Sequence, residues 1–344
     1  MKTSSRSITR RQFALGAATL PLTAALGGVA TRRRTAAQEG APESIKIDYA
    51  YYNPSSLVLR RFGWLEEDLT ADGVEVEWVL SAGSNKANEF LRSDAIDFGS
   101  TAGSAALLAK TNGSEIQTVY IYSKPEWAAL VVAADSEIAD VAGVAGKKVA
   151  ATKGTDPYFF LLQTLNAHGL AQKDVEVINL QHADGKTALE RGDVDAWSGL
   201  DPHMAQTELE QGSKLIYRNI DFNTYGFLNA RQKFLEDYAD YVPRVLTQYE
   251  RARAWILENP DEAAQILAEE ASLSIEVAKK ELFERTVLTI SPVPGEEQTA
   301  ALTPVIPIFE AENQLTPGSD ANEALANLYA PEWIQAIVDA APAA

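Results

Sequence analysis

From Ser44 onward, short apolar runs alternate with amphipathic stretches of helical length, and this alternation predicts an α/β layered architecture. In the first block the expected strands are Ile45–Tyr51, Val74–Leu80, Ile96–Gly99, Val119–Tyr122 and Ala128–Ala133. Between them the pattern predicts helices over Leu57–Asp68, ending near Gly73, and over Asn85–Arg92 and Ser104–Lys110. A second block repeats the scheme, with strands Lys147–Ala151, Val175–Leu180, Ala196–Ser198, Lys214–Tyr217 and Gly226–Ala230. Its helices are expected at Pro157–His168, Lys186–Arg191 and Pro202–Gln211. Beyond Arg231 the pattern is helical: Ala239–Glu258, Pro260–Glu270, Ile275–Phe283, Thr299–Asn313 with interrupting prolines, and a last helix near Pro331–Ala340.

About 300 residues exceed one ordinary core, so two lobes are expected. The strands Ala128–Ala133 and Gly226–Ala230 bracket the middle block and would carry the chain across between them. The first lobe would then be discontinuous, 44–130 plus 231–340, and the second would be 131–229. Two such hinge strands permit closure around a ligand.

Four strand-to-helix turns are built from small or polar residues: Ser81-Ala82-Gly83-Ser84, Gly99-Ser100-Thr101-Ala102, Lys153-Gly154-Thr155-Asp156 and Gly199-Leu200-Asp201-Pro202. A helix start leaves backbone N–H groups unpaired and carries the positive end of the helix dipole, so several starts at one crevice would suit a small anion. Ser84, Asn85, Ser100, Thr101 and Thr155 add neutral hydroxyl and amide donors, which bind an anion without the cost of burying a second full charge. Asp156-Pro157 and Asp201-Pro202 each place an acid where a helix cap is expected. Asp201, facing the cleft, would suit an ammonium group on a zwitterion. Of the aromatics beside these turns, Tyr52 and Trp197 are the preferred walls for an aliphatic tail.

The ends change the picture. Residues 1–38 hold Arg10-Arg11-Gln12-Phe13, the apolar run Ala14–Ala30 and then Arg32-Arg33-Arg34, the pattern of a twin-arginine export signal. Without this leader and its seven basic residues the formal charge falls from −18 to −25. So acidic a chain disfavours nucleic acid and anionic lipid as partners. There is no cysteine, hence no disulfide, thiolate nucleophile or lipid-bearing N-terminal cysteine. His168, His182 and His203 have no metal-ligand spacing, and no hydrolase elbow, phosphate-loop lysine or zinc-protease motif occurs, so neither cofactor nor catalytic residue is expected.

Taken in order, Ala95-Ile96-Asp97-Phe98-Gly99-Ser100-Thr101, Gly146-Lys147-Lys148-Val149-Ala150, Lys153-Gly154-Thr155 and Gly192-Asp193-Val194-Asp195-Ala196-Trp197 with Asp201-Pro202 resemble the periplasmic solute-binding proteins of ABC importers for aliphatic sulfonates, taurine and nitrate. The resemblance implies a two-lobed type II periplasmic binding protein fold, a small anionic ligand, a monomer, and docking on an ABC permease in the inner membrane. By carry-over, Ser84, Ser100, Thr101, Thr155, Trp197 and Asp201 would line a sulfonate site. Leu200, where the family often has an aromatic, and Gly103-Ser104, where a proline is common, depart from the pattern and bear on the substrate: taurine, nitrate or a pyrimidine precursor are the alternatives to a simple alkanesulfonate. An enzyme on the same fold is the rival class.

Overall fold

A computed structural model of the chain describes residues 40–340. The expected leader, 1–38, lies outside the described residues. In chain order the strands are β1 Ser44–Tyr49, β2 Glu75–Leu80, β3 Phe98–Ala102, β4 Ile116–Pro125, β5 Leu130–Val132 and β6 Lys148–Ala151. They continue with β7 Glu176–Asn179, β8 Ala196–Ser198, β9 Lys214–Tyr217, β10 Gly226–Arg231 and β11 Thr286–Val287. Two mixed sheets result, one ordered β11-β4-β10-β3-β1-β2 and the other β7-β6-β8-β5-β9. In each, the strands followed by helices pair in parallel, β1 with β2 and β3, and β6 with β7 and β8. Antiparallel strands extend each sheet: β10 beside β3 and β4, and β5 between β8 and β9.

The chain passes from the first sheet to the second between β4 and β5, and returns between β9 and β10. These crossings are tied to one another. The Ala128 N–H donates to Asn223 Oδ1 at 2.8 Å. The Asp156 carboxylate accepts from Trp127 Nε1 at 2.9 Å, from Thr224 N–H at 2.7 Å and from the Thr224 hydroxyl at 2.8 Å. Ser104, at the start of the helix Gly103–Thr111 beside the first sheet, donates to the same carboxylate. One buried side chain on a second-sheet helix therefore holds both crossings and a first-sheet helix.

Apolar packing follows the same join. One cluster gathers Ile45, Ile47, Phe98 and Val119 of the first sheet against Leu246, Tyr249 and Ile256 of the helix Val242–Glu258. A second runs through both sheets, with Ile121 and Phe227 beside Leu130, Val149 and Phe159. Phe309 reaches this cluster from the C-terminal helices, its ring centroid 4.9 Å from that of Phe159. Trp197 belongs to a third, with Val131, Leu189 and Met204.

Where elements depart from the expected pattern, the cause is local. The helix expected over Leu57–Asp68 is broken in two, Pro54–Phe62 and Trp64–Leu69, because Gly63 takes a left-handed conformation at φ 65°. The stretch Thr299–Asn313 divides into Glu296–Leu302, a tight turn and Ile306–Ala311, with Pro304 and Pro307 at the breaks. Thr155, not Asp156, is the residue that caps Asp156–Ala167, and the helix after Asp201-Pro202 begins at His203. Short elements without a strong period of their own, such as Gln232–Asp237, Ala321–Ala326 and β11, are additional.

Replacing Asp156 by Ala would strand the Trp127 and Thr224 N–H groups and two hydroxyls in the interior, each such orphan costing about 1–3 kcal/mol. Urea unfolding of Asp156→Ala should therefore show a loss of at least about 3 kcal/mol. A loss below about 1 kcal/mol would mean that the crossings hold without this carboxylate.

Candidate functional site

Four helix starts, and the turn that leads to a fifth helix, meet at one crevice, whose space, solvent included, is about 190 Å³. Ser84 opens Ser84–Arg92, Ala102 stands before Gly103–Thr111, Thr155 before Asp156–Ala167, and His182 opens His182–Arg191. Leu200 lies in the turn that leads to His203–Gln211. The first two follow β2 and β3 of one sheet, and the other three follow β6, β7 and β8 of the other. Tyr52, Trp127 and Pro157 complete the wall, with the Tyr52 and Trp127 rings edge to face at 6.0 Å. A wider opening of about 550 Å³, solvent included, shares Tyr52, His182 and Leu200 with this crevice and extends past Tyr51, Gln181, Asp201 and His203.

The hydroxyls differ in what they have left to give. Ser84 Oγ accepts the Ala102 N–H at 2.9 Å, so its own proton is free for the crevice. Thr155 Oγ1 donates to Thr152 O at 2.6 Å, and the Tyr52 hydroxyl donates to Ser100 O at 3.0 Å, so both protons are committed. Helix geometry leaves the first N–H groups of each helix without intrahelical partners. At Gly103–Thr111 those groups are already engaged, the Gly103 N–H with Tyr225 O at 3.0 Å and the Ser104 N–H with Thr224 Oγ1 at 3.2 Å, so the backbone donors left over belong to the other helix starts, beside the Ser84 hydroxyl.

Several expected site residues lie elsewhere. Ser100 is fully buried, donating to Asp48 Oδ1 at 2.8 Å and accepting from Asn53 Nδ2 at 2.8 Å. Thr101 accepts from Asn229 Nδ2 at 2.7 Å. Neither lines the crevice, because β3 runs on to Ala102 and the turn comes after these two residues rather than at them. Trp197 is wholly enclosed in the second sheet's core, against Gly185, where a Cβ would stand 2.6 Å from its Nε1. Asn85, next in the same helix, is not among the residues that line the crevice, and its Oδ1 is buried and unpartnered. Asp201 does border the wider opening, but its carboxylate is engaged: Arg285 Nη1 donates to both oxygens at 3.0 and 3.2 Å, and the Ala205 N–H adds a third bond at 2.8 Å. It is not the free partner for an ammonium group that the sequence suggests.

Charge in this region is muted. Burial pushes Asp201 up to about 6 against the pull of Arg285, and pushes Asp48 up to about 6 against its bonds to Ser100. Arg285, itself buried, also bonds Glu208. Burial, with the neighbouring His203, pushes His182 down to about 3, and His203 itself falls to about 4, so both rings are neutral at pH 7. Among the described residues no group of acids and histidines could hold a metal ion.

His182 and the Gln181-His182 turn are what the pattern of the chain conceals. Val175–Leu180 reads as a strand, but the next helix starts at His182, four residues before the expected Lys186, because Ala183, Asp184 and Gly185 lack an apolar period. The signal was present only as geometry: a parallel strand must be followed by a helix start at the same end of the sheet as its neighbours.

The NMT1/THI5 like family matches this chain over residues 64–263. A Bacillus subtilis (strain 168) protein that bears the name of an aliphatic sulfonates-binding protein is 31% identical over 229 residues, 66% of this chain and 69% of its own. An Escherichia coli (strain K12) protein of the same name is 29% identical over 283 residues, 82% and 88% respectively. In three dimensions the chain is similar to the alkanesulfonate-binding protein SsuA from Xanthomonas axonopodis pv. citri bound to MOPS, with a TM-score of 0.74 over 82% of this chain and 98% of that one. At 22% identity the latter likeness speaks for the fold. Two sheets joined by two crossings, with helix starts meeting between them, form the type II periplasmic binding fold, and the chain belongs to the NMT1/THI5 like family alongside the aliphatic-sulfonate-binding proteins.

Proposed function

We propose that this chain is an exported substrate-binding protein of an ABC importer, which captures an aliphatic sulfonate in the crevice and delivers it to a permease. The observation that carries this reading is the convergence of four helix starts and the free Ser84 hydroxyl on a space walled by Tyr52, Trp127 and Leu200. Three sulfonate oxygens match several neutral donors, and an aliphatic tail matches the apolar wall. The lobes, 44–130 plus 231–340 and 131–229, close on the ligand by population shift with no covalent step. A monomer outside the inner membrane, exported through the leader at 1–38, completes the reading. The relatives' names support the ligand class, and the lack of any cysteine is consistent with binding rather than thiol chemistry.

Thermal unfolding of the protein against alkanesulfonates, sulfate, nitrate, bicarbonate and pyrimidines tests the ligand class. An alkanesulfonate present at about 100 times its Kd should add about 2.7 kcal/mol, while the other anions leave the transition unchanged. Stabilisation by nitrate or a pyrimidine alone would transfer the reading to that ligand.

Substitution separates lining from support. Ser84→Ala removes a hydroxyl donor and should weaken sulfonate binding by about 1–3 kcal/mol in calorimetric titration. Thr101→Val, behind the wall, should leave affinity within about 0.5 kcal/mol while lowering stability through the stranded Asn229 amide. The reverse ranking would put the anion at β3 instead.

A further inference from the structure

The donor side of the crevice is accounted for by the anion; the acceptor side is not. His182 is 1% exposed and lines both the crevice and the wider opening. One edge of its ring is fixed: Nδ1 stands 3.1 Å from Thr152 Oγ1. That hydroxyl gives its single proton to Leu180 O at 2.7 Å, so toward the ring it can only accept. The ring proton therefore sits on Nδ1, and Nε2 on the opposite edge is a bare lone pair. Burial holds the ring neutral, down to about 3, and its place at a helix N-terminus works in the same direction.

Nε2 has no partner among the described residues, and neither has the nearby Asn85 Oδ1. Both atoms stand 2.9 Å from the point that a Cβ on Gly83 would occupy, so they flank the same bare face of that glycine. A third unpartnered acceptor, Gln181 Oε1, belongs to the residue that borders the wider opening next to His182. Buried acceptors without donors cost about 1–3 kcal/mol each, a deficit that a donor on the ligand would remove.

We propose that His182 is a specificity-determining residue, whose Nε2 accepts a hydrogen bond from an N–H or O–H group on the ligand, so that the site prefers amino- or hydroxy-substituted short sulfonates over unsubstituted ones. The inference rests on the sulfonate reading and adds to it a second polar end. Asp201 is not available for this role, since Arg285 holds it. The recognition is neutral, which lets the same acceptor serve an ammonium and a hydroxyl.

Calorimetric titration of the protein with ethanesulfonate, taurine and isethionate, three sulfonates of one chain length, tests it. Taurine or isethionate should bind about tenfold more tightly than ethanesulfonate, the yield of one buried hydrogen bond. In His182→Phe, which keeps a ring and loses the acceptor, the ratio of taurine or isethionate affinity to ethanesulfonate affinity should shrink to within about threefold, whatever the absolute affinities. Equal binding of all three to the unaltered protein, or an unchanged preference in His182→Phe, overturns the proposal and leaves the sulfonate reading standing. Failure of every sulfonate to bind overturns both. Should the variant not fold, the ¹⁵N spectrum of the unaltered protein decides: with three histidines in the chain, the His182 ring should show the Nδ1-protonated tautomer, and an Nε2-protonated ring overturns the proposal.

Discussion

The Asp156 carboxylate accepts hydrogen bonds from both segments that connect the two sheets and from the helix start at Ser104, and it does so from within the wall of the crevice. Closure on a ligand, as proposed, would bend the crossings about a defined point. Here that point is a buried acid whose lone pairs are taken by Trp127, Thr224 and Ser104, with burial holding its pKa up and those bonds pulling it down. Trp127 is at once part of a crossing, a donor to Asp156 and a wall of the crevice. The geometry of the crossing and the wall of the crevice are therefore set by the same side chains, and a ligand bound as proposed would act directly on the crossing. The Asn223 bond to Ala128 repeats the tie one residue further along.

A second constraint comes from charge. Arg285 reaches Asp201 and Glu208 from the end of the wide π-helical turn Lys280–Glu284, joining the C-terminal helices to the helix His203–Gln211. Glu281 in the same turn is buried, and its carboxyl is held well above the usual range by burial and by Asp201. Breaking such a group at one member leaves the others unpaired, so it fixes the relation of these helices more than it adds net stability. It also pairs the Asp201 carboxylate, which borders the wider opening, with a guanidinium.

Much of the fold was legible because it is local. Ala196–Ser198 and Lys214–Tyr217 occur as the pattern implies, and most other strands and helices shift by one to three residues at their ends. The crevice was legible in part. The turns at Ser84, Thr155 and Leu200 do meet, whereas Ser100, Thr101 and Trp197 are drawn into the interior. A serine at a turn and a serine at the end of a buried strand look alike in one dimension; Asp48, fifty-two residues away, decides which Ser100 is. Trp197 is decided in the same way by Gly185, whose missing side chain makes room for the indole. His182 went unmarked for the opposite reason, since a lone histidine carries no period and its role depends on Thr152.

The acidity of the chain and the proposed anionic ligand are reconciled by scale. A formal charge of −18 acts over distances at which salt screens it, about 8 Å under physiological conditions, whereas N–H groups at helix starts act at hydrogen-bond range. Neutral donors suit this division. An arginine or lysine in the crevice would draw in any anion, sulfate and phosphate included, and would itself have to be desolvated on closure. Backbone N–H groups and a serine hydroxyl instead require a ligand whose oxygens fit their directions, so discrimination comes from shape and hydrogen-bond count rather than from charge alone. On the proposed reading the outer field works in favour of selectivity, because it disfavours large polyanions, while a small anion inside would feel chiefly the helix starts around it.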